Sequence, residues 1–213
     1  MHIPFINVCG ADIPSEIKEK MQSLQSNDIA CVNWPKAYPS RPKVSFRIAH
    51  NGSHLFLWYS VEENEILAKT TEDNGPVWTD SCVEFFVSFD DLRSYYNAEF
   101  NCAGKALLRY KPKSSDPVPR TFDIMNQIKR YPSLGAKPFD KKQGDFHWDL
   151  LVAIPVAAYR ESGISSFSGM KARGNFYKCG DDLTVPHFLS WTPIDTENPS
   201  FHEPQFFGEL YFE

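Results

Sequence analysis

Residues 78–104 read WTDSCVEFFVSFDDLRSYYNAEFNCAG, and this pattern indicates two strands joined by a turn. In each half, apolar side chains alternate with small or polar ones, which is the period of a strand whose two faces differ. Strands joined by so short a connection usually pair antiparallel. We therefore predict a hairpin whose apolar face carries Val83, Phe85, Val87, Phe89, Tyr96, Ala98 and Phe100.

The opposite face of this hairpin carries hydrogen-bonding groups. It presents Glu84, Asn97, Glu99 and Asn101, and Trp78 lies just before the first strand. Such a group suits a sugar, because the C–H face of the ring stacks on an indole while its hydroxyls bond amides and carboxylates. A half-exposed sheet with polar residues facing water produces the same alternation. The pattern alone leaves both interpretations open.

Composition narrows the class of protein. The 213 residues are enough for one domain with a full core. An aromatic fraction of 15% with 16 prolines favours a β-rich fold with many turns. The net charge of −5 argues against a nucleic-acid partner. Because no apolar run is long enough to span a bilayer, we also expect no membrane span.

The cysteines indicate free thiols. Their number is odd and no C-x-x-C pair occurs, which fits a reducing compartment better than a disulfide framework. One disulfide between Cys82 and Cys102, on the paired strands, stays open. The N-terminus lacks the basic and long apolar regions of a secretory signal. We therefore expect a cytoplasmic protein, or a secreted or periplasmic one if a leader has been trimmed. The five cysteines are Cys9, Cys31, Cys82, Cys102 and Cys179.

Periodicity predicts the remaining elements. Ile17, Met21 and Leu24 recur at helical spacing and predict a short helix at 13–25, within an N-terminal extension of residues 1–30. The dipeptide Asn51-Gly52 predicts a tight hairpin. Residues 62–75 and 111–144 have the composition of connections, with one helical candidate at 123–130. Further strands are expected at 44–48, 55–61, 148–154, 170–177 and 206–213.

Short strands with frequent turn signals predict an all-β fold. We expect one domain, residues 1–213, built as an antiparallel β-sandwich of immunoglobulin-like or jelly-roll type. A short N-terminal helix and long loops complete this prediction.

The sequence holds no catalytic motif that identifies an enzyme. Glu84 and Glu99 are the one carboxylate pair considered for glycoside hydrolysis, since neighbouring strands can hold carboxyl groups roughly 5 Å apart. Hydrolysis also needs one acid with a raised pKa, which requires desolvation. The enzyme question therefore stays open, with binding favoured. The pairs Asp90-Asp91 and Asp181-Asp182 are possible calcium ligands, although calcium needs several more oxygens than a pair supplies.

The last third of the chain contains further candidate site residues. Arg173 and Asn175 lie on the polar face of a predicted strand, and Trp191 lies in the proline-bounded run PHFLSWTP, residues 186–193. Trp191 either covers the end of the sandwich or forms the second wall of a cleft opposite Trp78.

These motifs resemble a known family. The run from Trp78 to Glu84, the strand ending at Ile154-Pro155 and the closing F-G-x-L pattern are similar to the family 9 carbohydrate-binding modules, a group of DOMON-like β-sandwiches. Residues 97–104, 175–181 and 186–191 are similar to small stand-alone bacterial members. The resemblance covers roughly residues 34–212.

The resemblance implies a sandwich that binds glucose- or xylose-type sugars between two tryptophans, matched here by Trp78 and Trp191. It assigns polar contacts to Glu84, Asn101 and Asn175, while Glu99 and Arg173 are added from strand geometry. The expected partner is a mono- or oligosaccharide, used in glycan utilisation, and the oligomeric state is left open. Calcium occurs in the family, but no ligand set in this chain can be matched to it, so calcium is possible, the metal content is left open and no cofactor is certain.

Three alternative functions remain open at this point. The first is a glycoside hydrolase that uses Glu84 and Glu99. The second is a haem-binding DOMON-like module, for which Met170 or a histidine would be an axial ligand. The third is a protein-interaction subunit with an exposed apolar patch in place of a sugar cleft.

Overall fold

The computed structural model describes residues 1–113 and 115–213, which form two β-sheets packed as a sandwich. Helices α1 (Pro14–Met21) and α2 (Phe122–Gln127) are short, and neither they nor any other described helix could cross a membrane. The strands are β1 (His2–Ile3), β2 (Asn27–Asp28), β3 (Cys31–Val32), β4 (Lys43–His50), β5 (His54–Ala68), β6 (Cys82–Ser88), β7 (Ser94–Asn101), β8 (Ala106–Pro112), β9 (Val118–Pro119), β10 (Lys129–Pro132), β11 (Phe139–Pro155), β12 (Lys171–Cys179), β13 (Phe188–Ser190) and β14 (Gly208–Phe212).

The larger sheet has the order β1-β14-β12-β6-β7-β8-β9, and β13 links β12 to β3 at its edge. The smaller sheet has the order β10-β11-β5-β4-β2. Strand pairs are antiparallel except β1 with β14. The predicted all-β sandwich is therefore confirmed, and β6 and β7 form the predicted hairpin.

Alternation along β6 places one set of side chains between the sheets. Val83, Phe85 and Val87 lie in the main core together with residues of the smaller sheet. Phe176 of β12 stacks on Phe46 of β4, with ring centroids 3.7 Å apart, and so joins the two sheets directly. Burial of aromatic rings of this size dominates the stability of such a core.

The outer faces of both sheets are also covered. On the smaller sheet, the N-terminal segment and α1 pack Ile6, Ile17 and Met21 against Phe56 and its neighbours. On the larger sheet, late segments of the chain bury Phe86, Tyr177 and Cys82. Polar side chains of the predicted hairpin are therefore enclosed and do not face open water.

Several predicted boundaries differ from the structure. Strand β5 continues through residues 62–68, which were expected to form a connection, and β11 begins at Phe139 within the expected long loop. The reason is pairing: the ends of these strands pair with each other despite their polar composition. The helix at 13–25 is shorter than expected, and that at 123–130 ends at Gln127.

The structure also answers the disulfide question. All five cysteines are free in the part of the chain described. Cys102 lies in the inter-sheet core, whereas Cys82 lies on the outer face of β6. The two thiols point to different clusters, so the geometry gives no support to a bond between them.

A buried ion pair joins the two sheets at one end of the sandwich. Nζ of Lys178, on β12, lies 2.9 Å from Oε2 of Glu63, on β5, and both side chains are almost completely enclosed. Trp148 Nε1 donates to Oε1 of the same glutamate at 2.7 Å. Lys178 Nζ also lies 2.8 Å from Nε2 of His187. A buried charge requires such partners, because its desolvation is costly when it is unpaired.

We predict that Lys178→Met strongly destabilises the protein. The substitution leaves the Glu63 carboxylate buried without its cation, which typically costs about 3–5 kcal/mol of unfolding free energy. The measurement is urea unfolding of the variant and of the double variant Glu63→Gln/Lys178→Met, which should recover part of the loss. Lys43→Met, which removes a solvent-exposed pair with Glu62, is the control and should change stability little. Equal losses in the two lysine variants would contradict the prediction.

We also predict that His187 makes stability depend on pH. Burial, and then the nearby charge of Lys178, hold the pKa of His187 well below its ordinary value. Glu63 Oε2, 3.9 Å from Nε2, is the facing acid. Because the unfolded chain then binds more protons below about pH 6.5, the unfolding free energy should fall as pH drops from about 7 to about 5.

His187→Gln should reduce this slope, whereas His2→Gln on the surface should keep it. Urea unfolding at several pH values measures both. An unchanged slope in His187→Gln would show that other groups cause the dependence.

Candidate functional site

A cleft opens on the outer face of the larger sheet. Its volume is about 280 Å³, close to the lower end of the range for small-ligand pockets. Its floor comes from neighbouring strands, since Glu84 of β6 lies directly opposite both Tyr177 of β12 and Glu99 of β7. The lining residues are Trp78, Glu84, Phe86, Glu99, Arg109, Cys179, Asp181, Phe188, Pro199, Ser200, Phe201 and His202.

Aromatic side chains form much of the wall. Trp78 lies in a 3-10 turn, Val77–Thr79, immediately before β6, and is half-buried. Phe188 comes from β13, and Phe201 stacks on Tyr177 with ring centroids 4.2 Å apart. The guanidinium of Arg109 lies 5.9 Å from the centre of the Trp78 ring, within the range of a cation–π contact. Flat apolar surfaces and charged groups thus share one small space.

Glu99 is deeply buried, and one of its carboxyl oxygens lacks a hydrogen-bond partner among the described residues. The residue is 5% exposed. Asn97 Nδ2 donates to Oε1 at 2.8 Å, whereas Oε2 is enclosed and has no hydrogen-bond partner among the described residues. Burial raises the pKa of Glu99 to about 7, although the Asn97 bond and the charge of Arg109 oppose the rise. An enclosed oxygen of this kind needs a donor to satisfy it.

Glu84 is enclosed still more completely. Burial is the largest cause that raises its pKa well above the ordinary value, followed by the neighbouring Cys179 and Glu99. The Cys179 thiol lies 3.0 Å from Oε1 of Glu84. The structure therefore places the predicted residues Trp78, Glu84 and Glu99 in one cleft. The sequence pattern had indicated this grouping through strand alternation.

Asn101 and Asn175 have other positions and contacts from those expected. Oδ1 of Asn101 accepts from the backbone N–H of Ala103 and Lys105, which closes the turn after β7. Asn175 accepts from Thr192 N and donates to Thr192 O, and so fixes the segment after β13. Both amides are fully buried, and neither lines the cleft. Asn101 Nδ2 also donates to Oδ2 of Asp80 at 2.9 Å, so both amides are occupied by bonds within the protein.

Arg173 also lies outside the cleft. Its Nε and one Nη atom donate to the carbonyl of Phe207 at 3.2 and 2.8 Å. These bonds tie the last residues of the chain to β12, and the side chain borders a separate surface depression together with Asp90 and Glu209. The strand face predicted for Arg173 is correct, but its distance along β12 from the cleft was not visible in the sequence.

The expected position of Trp191 is corrected by the structure. Its indole packs edge-on against Phe46 and Phe176, with ring centroids 6.4 and 5.7 Å apart, on the inter-sheet side. The reason is the parity of β13, which pairs with β12 so that Leu189 enters the core and Trp191, two residues later, follows it. Phe188 has the opposite parity and lines the cleft. Trp191 is therefore not the second wall opposite Trp78.

Sequence reasoning missed Phe188, Phe201 and Arg109. Phe188 was present in the run PHFLSWTP, but a three-residue strand is too short to show alternation. Arg109 lies on the outer face of β8, two residues after Leu107, which is opposite Glu99. Phe201 belongs to a segment without regular structure, so no periodic signal marked it.

Among the described residues, neither predicted aspartate pair belongs to a cluster of acidic side chains that could hold calcium. Asp90 accepts from Ser88 and Ser94 and so closes the turn between β6 and β7. Asp182 pairs with Lys69. In the described part of the chain, neither aspartate pair joins a group of three converging acidic, histidine or cysteine ligands. Calcium binding therefore stays a prediction from the family resemblance.

The fold and the cleft define an antiparallel β-sandwich with a small-ligand cleft on one sheet. A family model described as carbohydrate-binding family 9 matches residues 14–212, and the chain therefore belongs to that family. No curated protein shows significant similarity to it.

Solved structures share the fold of this chain. A candidate carbohydrate-binding protein from Bacteroides uniformis is 40% identical, with a TM-score of 0.93 over 100% of this chain and 98% of that one. A family 9 carbohydrate-binding module from Caldicellulosiruptor kristjanssonii in complex with glucose is 11% identical, with a TM-score of 0.61 and coverage of 100% and 95%. The structure of the module from Caldicellulosiruptor kristjanssonii in complex with cellotriose is 11% identical, with a TM-score of 0.62 over 100% of this chain and 93% of that one. At 11% identity the likeness concerns the fold alone.

We predict that Trp191→Ala destabilises the protein more than Trp78→Ala does. Trp191 is half-buried, but its indole packs against Phe46 and Phe176 of the inter-sheet core. Its removal should cost about 2 kcal/mol, less than the roughly 3–5 kcal/mol of a fully buried aromatic side chain. Trp78 borders the cleft, so its removal mainly widens an existing space. Urea unfolding measures the difference. A larger loss in Trp78→Ala would show that its indole, rather than that of Trp191, supports the core.

Proposed function

We propose that this protein binds carbohydrate in the cleft of the larger sheet, with one sugar ring lying on the Trp78 indole. The observation that carries the proposal is the juxtaposition of that half-buried indole with the enclosed Glu99 carboxyl group, whose Oε2 lacks a partner among the described residues. A sugar offers both matching features, an apolar C–H face and hydroxyl donors.

Phe201 and Phe188 are proposed to close the cleft around the ring in place of Trp191. Phe201 is held by its stacking on Tyr177, and Phe188 is held by the pairing of β13 with β12. Walls fixed in this way lose little conformational freedom when a ligand binds. The cleft volume of about 280 Å³ suits a short ligand or the end of a longer chain.

Arg109 and Glu84 would complete hydroxyl recognition. Arg109 carries donors only, whereas an ionised carboxylate accepts only and a protonated one also donates. Because burial raises the pKa of both Glu84 and Glu99, the cleft can hold carboxyl groups that act as donors near neutral pH. Sugar hydroxyls donate and accept, so they match either state.

The family and its ligands support a gluco-configured sugar as the first ligand class to test. The family 9 module from Caldicellulosiruptor kristjanssonii is seen with glucose and with cellotriose. A binding protein of this kind would serve glycan utilisation by retaining a saccharide for other proteins. We propose binding without catalysis as its role.

Hydrolysis is the second candidate function, and the pairing of Glu84 with Glu99 favours it. Their Cα atoms are direct cross-strand partners, so their side chains leave the same sheet face side by side. The raised pKa of one carboxyl group is a feature that a general acid requires. Incubation with cellotriose, followed by chromatography, distinguishes the two functions. An unchanged trisaccharide supports binding alone, and products that disappear in Glu84→Gln would support hydrolysis.

We predict that tryptophan fluorescence will report binding of glucose, xylose or cellotriose and that Trp78→Ala will weaken it about tenfold or more. A tenfold loss of affinity corresponds to roughly 1.4 kcal/mol of binding free energy, which the stacking of the ring on the indole and the burial of apolar surface would supply. Isothermal titration calorimetry should give the same ranking without depending on the indole signal. Glu99→Gln should also weaken binding, because the amide nitrogen replaces one acceptor.

Trp58→Ala is the matched control. Trp58 is also half-buried, but it lies on the outer face of the smaller sheet with Arg47 against it. Its removal should leave affinity unchanged. Equal effects of the Trp78 and Trp58 substitutions, or saturation of the protein by none of these sugars, would contradict the proposed cleft.

A further inference from the structure

Two thiols and a carboxylate converge on the floor of the cleft. Cys82 and Cys179 are direct cross-strand partners on β6 and β12, and Glu84 follows Cys82 by two residues on the same face. One ligand atom from each residue lies within 4.8 Å of the others. The Cys179 thiol is 3.0 Å from Oε1 of Glu84. All three side chains are buried.

This separation suits a tetrahedral metal ion. Zinc binds thiolate sulfur at about 2.3 Å and carboxylate oxygen at about 2.0–2.2 Å, so neighbouring ligand atoms lie about 3.5–3.8 Å apart. In the cluster the Cys179 sulfur lies 3.0 Å from Oε1 of Glu84, and all three ligand atoms lie within 4.8 Å of one another, so the observed separations bracket this spacing. Two thiolates favour zinc over calcium or magnesium, which prefer oxygen ligands. The chemistry of the cluster therefore selects a soft or borderline cation.

The cluster has one side open to the cleft. Cys179 and Glu84 line that space together with Glu99, while Cys82 lies beneath them. Oε2 of Glu99 is one of the enclosed acceptors that lack a hydrogen-bond partner in the described residues. A water molecule bound in the fourth position of the ion could donate to this oxygen. An open position and an acceptor beside it are typical of sites where the metal contacts a ligand.

We propose that Cys82, Cys179 and Glu84 form a zinc site whose fourth position faces the cleft. The site does not depend on sugar binding, although it shares Glu84 with the proposed sugar cleft. The alternative is that both cysteines are small buried apolar residues, as Cys102 is in the inter-sheet core. Cys102 donates only to the carbonyl of Leu67, at 3.5 Å, and is the matched control.

The experiment is a titration of the reduced, metal-free full chain with Co²⁺ in the absence of sugar. Tetrahedral cobalt with thiolate ligands gives intense charge-transfer and visible bands, so one equivalent should produce both. Zn²⁺ should then displace the cobalt and remove the bands. Cys82→Ser and Cys179→Ser should each weaken the charge-transfer band because one thiolate is lost, and the double variant should abolish it. Glu84→Gln should weaken binding on the order of tenfold or more, and Cys102→Ser should match the parent.

X-ray absorption of the zinc-loaded parent protein tests the proposal without any variant. The expected first shell contains two sulfur ligands at about 2.3 Å. Absence of sulfur from that shell, absence of the charge-transfer band in folded reduced protein, or an undiminished band in both cysteine variants would overturn the proposal. Because no sugar is present, failure here leaves the carbohydrate proposal unaffected. If the protein bound no sugar but gave the expected cobalt spectrum, the carbohydrate proposal would fail and the zinc proposal would stand.

Discussion

The register of β6 between β7 and β12 is the constraint on which the rest of the structure depends. Because side chains alternate along a strand, this register sends Val83 and Phe85 into the core and Glu84 to the outer face. A shift by one residue would exchange the two sets and bury carboxylates between the sheets. The hydrophobic core and the cleft are therefore two consequences of one pairing, and the packing of the core fixes the geometry of the site.

Glu63 and Glu99, two of the buried acidic residues, differ in what surrounds their carboxyl groups. Glu63 is matched by Lys178 and Trp148, so its charge is balanced at the junction of the sheets. Glu99 keeps one oxygen without a partner in the described residues, at the bottom of an open cleft. A carboxylate paired with a buried cation stabilises the fold, whereas a carboxyl oxygen without such a partner, on a residue that lines a cleft, is a candidate contact for a ligand.

Local sequence patterns predicted those elements whose pairing and facing follow from residues close together in the chain. Alternation over residues 82–101 was sufficient for the hairpin and for the common face of Glu84 and Glu99. It left two positions open for Trp191, because a three-residue strand takes its facing from the distant strand β12 rather than from its own sequence. The cleft-wall position came from the family resemblance. Local patterns failed for residues 62–68, whose acidic composition resembles a loop, although Lys178 compensates one of those acids from over a hundred residues away. Phe201, which lines the cleft, lies in a segment without a periodic sequence pattern, so alternation could not identify it.

The central position of β12 has a consequence for how the chain folds. Cys179 pairs with Cys82 across about a hundred residues of intervening chain, and the same strand then receives β14 from the C-terminal end. Such a topology has a high contact order, and domains with many distant pairings usually fold in milliseconds to seconds rather than microseconds. During synthesis, the β6–β7 hairpin would emerge long before its partner. Its exposed edge would then be open to intermolecular strand pairing until translation supplies β12.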